Sequence, residues 1–226
     1  MTLNSKPLAI VMMGASGAVG TEALKTLLPL NTITQLTLLG RKPIENIEPD
    51  FVRQHKIDIS DSSSYEHYLA GHTAAICTLG VGEPSKISKE DFVKIDKTAV
   101  LDFAMACKKA GVKHFELLAS VGISATSSSF YLRTKGELVE ELKALNFERL
   151  SIFQPSMILT PTNRYGIAQA ITLKVWPVLQ PLFMGSLRKY RGIKVSELGQ
   201  AMAKNVFNSE EGFETLQWDQ FHSINK

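Results

Sequence analysis

Tyr131-Leu-Arg-Thr-Lys135 separates a phenol from an ammonium by four residues. On a helix, that interval puts both groups on one face, roughly 6 Å apart. A cation beside a phenol favours its anion and suits the tyrosine to general acid–base work. Ser120, upstream at the end of an apolar run, has a hydroxyl that can polarise a substrate carbonyl oxygen. A donor, a polarising hydroxyl and a neighbouring ammonium can together reduce a carbonyl, given a source of hydride. The segment Gly14-Ala15-Ser16-Gly17-Ala18-Val19-Gly20 can hold such a source. It lies between the apolar run 8–13 and a helical stripe containing Ala23, Leu24, Leu27 and Leu28. Strand, glycine turn and helix together present free backbone N–H groups to a diphosphate. The spacing is G-x-x-G-x-x-G rather than the commoner G-x-G-x-x-G, and a bare tight turn is the competing reading.

The residues after the second apolar run bear on which dinucleotide fits. NAD-selective sites place an acid there for the ribose hydroxyls. This chain has Gly40, Arg41 and Lys42, and its next acid is Glu45. Arg41 can hold a 2′-phosphate with two hydrogen bonds while Lys42 adds charge, so NADP(H) is the preferred cofactor. NAD(H) stays open, as does a plain solvated basic turn. Asp58, followed by apolar Ile59, can reach an adenine amino group or can cap the turn before Ser60.

These groups need a scaffold, and the chain alternates strand-like and helix-like segments. Strands are predicted at 8–13, 36–39, 56–59, 74–79, 114–120 and 150–153. Helices are predicted after Gly17 and over 90–109, 131–145 and 195–207. The alternation predicts an α/β fold, a doubly wound parallel sheet of Rossmann type with a small C-terminal substrate lobe. The expected organisation is a nucleotide-binding core over 1–155, a small substrate or interaction lobe over 156–190, and 191–226 packing back on the core as part of one continuous domain.

Composition narrows the function classes. The 226 residues are 44% hydrophobic and 21% charged, as in an ordinary globular enzyme. A net charge of +3 without a dense basic block argues against a nucleic-acid partner. Cys77 and Cys107 form no disulfide pattern, and nothing near Met1 resembles a signal peptide, so a reducing cytoplasm is expected. The apolar stretch 171–184 is too short for a membrane span and contains Lys174, Pro177 and Pro181. It reads as a core helix or pocket wall, with a surface for a protein partner or lipid-like ligand as the alternative. The five histidines are scattered, with no His-Glu-x-x-His or Cys-x-x-Cys pattern, so no metal site is expected. His114 reads as a strand-edge packing residue.

Gly14-x-x-Gly17-x-x-Gly20, Asp58-Ile59, Ser120 and Tyr131-x-x-x-Lys135 together resemble the atypical or extended short-chain dehydrogenase/reductases. The likeness is to the branch holding the Tat-interacting-protein oxidoreductases and their NmrA-like relatives. It is strongest from 8 to 160 and also rests on 77–80, 109–120 and 131–137. It implies NADP(H) or NAD(H) and a reductase site with Ser120, Tyr131 and Lys135 in the catalytic roles. It further implies Thr78, Leu79 and Gly80 against the cofactor ribose and Pro155-Ser156 near the nicotinamide. Such proteins often carry Arg-Pro-Gly after the sixth strand, where this chain has Gln154-Pro155-Ser156 and lacks the arginine. The small lobe argues against a bulky sugar nucleotide as substrate. Some members bind the dinucleotide only to report redox state, so a sensor without turnover stands as the second reading.

Overall fold

The computed structural model describes residues 7–161 and 183–226. Seven strands form one parallel sheet in the order β3-β2-β1-β4-β5-β6-β9. They are β1 (Leu8–Met13), β2 (Ile33–Gly40), β3 (Val52–Lys56), β4 (Ala74–Cys77), β5 (His114–Leu118), β6 (Arg149–Phe153) and β9 (Gly212–Leu216). β7 (Ile158–Leu159) and β8 (Ile193–Lys194) form a separate parallel pair. The doubly wound Rossmann fold expected from the alternation is present. The strand order reverses between β1 and β4, which opens a crevice beyond their carboxyl ends.

The period of two along β1 explains the layering. Ile10 and Met12 enter the core beneath α1 (Ala18–Leu27) and α5 (Val195–Asn205). Val11 and Met13 enter the opposite core, formed with α3 (Ala99–Lys109) and α4 (Phe130–Ala144). A strand buried on both faces has no polar alternation, as in the run Leu8 to Met13. α1 faces inward through Val19, Ala23, Leu24 and Leu27. Val19, Leu24 and Leu27 each contribute about 1.5–3 kcal/mol by their burial.

Several boundaries differ from the sequence expectation. The third strand is β3, Val52–Lys56, and meets the expected 56–59 only at Lys56. The ladder stops once Ile57 N–H reaches the Gly40 carbonyl, and Asp58 turns the chain by accepting from Ser60. β4 ends at Cys77; the next residue, Thr78, still donates its N–H to the Met13 carbonyl, and its hydroxyl bonds the Gly14 carbonyl. The expected 90–109 helix is α2 (Lys89–Val93), a π-helical turn (Lys94–Thr98) and α3 in succession. The wider turn carries Asp96 into the interior.

The seventh strand and α6 (Trp218–Asn225) were not anticipated. β9 hides its period because Glu214 occupies an inward position. There it accepts from Ser151 Oγ at 2.6 Å and pairs with Arg149. His114 is likewise not an edge packing residue. Its Nε2 lies 2.8 Å from Ser151 Oγ inside this buried polar network, which also includes Glu116 and Asn205. Burial, with Arg149 nearby, lowers the His114 pKa to about 3. Burial pushes the Glu116 carboxyl well above the usual carboxylate range. Most of the 171–184 stretch lies outside the described residues. Among the described residues, no helix is long and apolar enough to cross a membrane.

Candidate functional site

The glycine loop leaves β1 at the crevice. Gly14 has φ +94°, a left-handed conformation that strains any residue with a Cβ. Its carbonyl accepts from Gly17 N–H at 2.9 Å and from the Thr78 hydroxyl at 2.9 Å, which ties the loop to the end of β4. At Gly20, a Cβ would lie 2.3 Å from that same carbonyl oxygen. The third glycine therefore lets α1 approach the loop. Gly17 stands at the N-cap with no side-chain cap, and the first turn has no acid. An uncapped helix start without an acid is suited to an anion, so Gly14, Ser16, Gly17, Ala18, Val19 and Gly20 fit a dinucleotide diphosphate.

From this loop a cleft runs toward the basic turn, lined by Gly14–Ser16, Leu38–Ile44, Gln54, His55, Ile59 and Leu79. Arg41 and Lys42 are exposed on its wall, and among the described residues neither has an ion-pair partner. Ile59 joins the lining. The Asp58 carboxylate accepts from Ser60 N–H at 2.9 Å and Ser60 Oγ at 2.6 Å, so it caps its own turn. Those hydrogen bonds, the hydroxyl's first, hold the Asp58 carboxyl below its usual range.

On the other side of the crevice, α4 presents Tyr131 and Lys135 one turn apart, with the ammonium 5.8 Å from the tyrosine ring centroid. The Tyr131 ring packs on Phe92 with centroids 5.4 Å apart. α4 sits close to the loop after β5. A Cβ on Gly136 would lie 2.2 Å from the Ser124 carbonyl carbon, so only glycine permits this approach. Ser120 lies in that loop. Ala119 N–H donates to the Phe153 carbonyl and Val121 N–H to the Pro155 carbonyl, which brings Ser120 alongside Pro155-Ser156. Gln154, standing where the resemblance expects arginine, accepts from Gln217 Nε2 at 3.1 Å.

Sequence reasoning missed Asp96. Its Oδ1 lies 2.8 Å from Lys135 Nζ, and its Oδ2 accepts from Val81 N–H at 2.8 Å. The two side chains are 1% and 8% exposed, so this is a buried ion pair. It links Lys135 to Val81, directly after the Thr78–Gly80 segment, and compensates the ammonium charge beside Tyr131. The available signal was an acid on the apolar stripe formed by Phe92, Val100, Phe103 and Cys107. Among the described residues, no cluster suits a metal ion. Cys77 and Cys107 are free and buried, and burial raises the Cys77 thiol pKa to about 12.

Known proteins resemble this chain. The NAD(P)H-binding family model matches residues 14–149. Rat (Rattus norvegicus) protein HTATIP2 is 35% identical over 153 residues, an alignment covering 67% of this chain and 63% of that protein. The chain thus spans less than two thirds of that relative. The Meyerozyma guilliermondii protein "FMP52, mitochondrial" is 32% identical over 168 residues, covering 73% of this chain and 72% of that protein. Among solved structures, the Bordetella bronchiseptica enzyme WbmH in complex with NAD+ superposes with a TM-score of 0.67 at 14% identity, covering 93% of this chain and 75% of that one. At that identity the likeness concerns the fold alone. With the family model over residues 14–149 and the HTATIP2 and FMP52 relatives each above 30% identical, the chain belongs to the NAD(P)H-binding proteins of the atypical short-chain dehydrogenase/reductase superfamily.

Proposed function

We propose that the protein is an NADP(H)-dependent oxidoreductase that reduces a small carbonyl or enone substrate. The observation carrying this reading is the placement of Tyr131 and Lys135 on one face of α4, with Lys135 tied through Asp96 to the segment after β4. A reduced nicotinamide supplies hydride to the substrate carbon when bound. Ser120 donates a hydrogen bond to the substrate oxygen and polarises it. Tyr131 O–H gives that oxygen a proton, and Lys135 steadies the resulting phenolate and holds the ribose hydroxyls. Arg41 and Lys42 take the 2′-phosphate that distinguishes NADP(H) from NAD(H). Thr78, Leu79 and Gly80 border the ribose, and Pro155 and Ser156 border the nicotinamide. In this reading, residues 156–190 form the substrate lobe and 191–226 close the core. Two free, buried cysteines support a reducing, cytoplasmic setting, which cell fractionation checks directly. The experiment is NADPH turnover against a panel of small aldehydes, ketones, enones and quinones. Turnover of any class supports the reductase, and none across the panel refutes it.

A second reading has its own support. Gln154 replaces the arginine that the resemblance expects and is taken up by Gln217. That replacement suits a protein that binds the dinucleotide and signals redox state to a partner, with 171–184 as the contact surface. Tight NADPH binding without turnover, together with partner capture that differs between NADPH and NADP+, would favour the sensor.

A further inference from the structure

We infer that Gln54 is a specificity-positioning residue that holds the basic turn in the shape required to read a 2′-phosphate. This inference rests on the NADP(H) reading above. The Gln54 amide binds both backbone groups of one residue. Its Oε1 accepts from Ile44 N–H at 2.8 Å, and its Nε2 donates to the Ile44 carbonyl at 3.0 Å. The side-chain amide thus makes a peptide-like pair with Ile44, a residue of the β2–β3 connection whose backbone lies outside the sheet.

The position of that pair gives it a role. The turn starts at Gly40, the last residue of β2, whose carbonyl accepts from Ile57 N–H at 3.0 Å. Arg41 and Lys42 follow, and Gln54 fixes the far end at Ile44. Two anchors therefore bracket the two cations, with Gln54 itself in the cleft wall. Glu45 comes directly after the clamped residue and is exposed. Clamping Ile44 keeps the cations on the cleft and separates them from the following carboxylate. A 2′-phosphate would be attracted by the former and repelled by the latter, while the uncharged 2′-hydroxyl of NADH has little stake in either. Loss of the clamp would make ordering of the turn part of the cost of binding, and this cost falls on the phosphate-bearing ligand.

The test is titration of wild type, Gln54→Met, Arg41→Ala and the double variant with NADPH and NADH. Adenosine 2′,5′-bisphosphate and 5′-AMP serve as fragment probes of the same distinction. Methionine keeps the length of the side chain and removes both hydrogen bonds. The expected result is about a tenfold fall in the NADPH-to-NADH affinity ratio for Gln54→Met, the scale of two modest hydrogen bonds. In the Arg41→Ala background, the same change should lower the ratio by clearly less than tenfold, because only Lys42 remains to be positioned. A ratio unchanged in Gln54→Met, or equal loss for both nucleotides, overturns the inference. A wild type without preference for NADPH overturns the reading beneath it, a distinct failure visible before any variant is made. Amide hydrogen exchange at Ile44 in wild type gives a check independent of variant folding. Protection is expected, and exchange at the rate of an open loop would overturn the clamp.

Discussion

Replacing Asp96 with asparagine tests whether the buried pair holds the site together. Asparagine keeps the shape and can still accept from Val81 N–H, but it leaves the Lys135 ammonium without a countercharge at a position 8% exposed. Removing one partner of a buried pair costs about 3–5 kcal/mol, since the surviving charge is desolvated and uncompensated. For a chain of this size, each kcal/mol lowers Tm by roughly 2–4 °C. Asp96→Asn should therefore lower Tm on the order of 10 °C. Lys135→Met in the same protein removes the orphaned ammonium and fills its space with an apolar chain. The double variant should recover at least about 2 kcal/mol of that loss, a coupling found only between groups in contact. The assay is thermal and urea unfolding of wild type, both single variants and the double, with the urea slope compared to keep the denatured states equivalent. An Asp96→Asn loss below about 1 kcal/mol, or a double variant no more stable than that single, would refute the reasoning.

Other outcomes follow from individual contacts. Gly20→Ala places a Cβ 2.3 Å from the Gly14 carbonyl oxygen, backbone against backbone. It should cost roughly 1–3 kcal/mol in unfolding free energy and weaken NADPH at least about tenfold by calorimetry. Arg41→Ala should weaken NADPH roughly 10- to 100-fold, the worth of a charged hydrogen-bonded contact, while changing NADH less than about threefold. Equal losses would remove the 2′-phosphate argument. His114 is held neutral, with its pKa lowered to about 3 from 6.5, so the unfolded chain binds the extra proton between these values. Stability should therefore fall as pH drops through that window, and His114→Asn should flatten the slope measured by urea unfolding.

The sequence was most legible where one physical rule governs a whole segment. β1 begins and ends where its apolar run does, and α1 lies where the stripe after Gly17 places it. Legibility failed where polar groups take positions that patterns reserve for apolar ones. Glu214 hid β9, and Asp96 went unread within a predicted helix that has a π-turn to bring it inward. Both are satisfied only by partners distant in the chain, Arg149 and Ser151 in one case and Lys135 in the other. Spacing identified Tyr131 with Lys135 but could not report the countercharge, Asp96, beside them. The third strand was misplaced because β3, Val-Arg-Gln-His-Lys, lies at the sheet edge with little apolar pattern. Its Gln54 contact with Ile44 spans ten residues and has no local signature.

The most direct measurement is NADPH oxidation by wild type and Tyr131→Phe against the same panel of aldehydes, ketones, enones and quinones, with NADPH affinity determined for both proteins. The account predicts turnover by wild type, a fall of about 100-fold or more in Tyr131→Phe, the scale of a lost general acid, and NADPH affinity within about threefold. Unchanged turnover in Tyr131→Phe would contradict it.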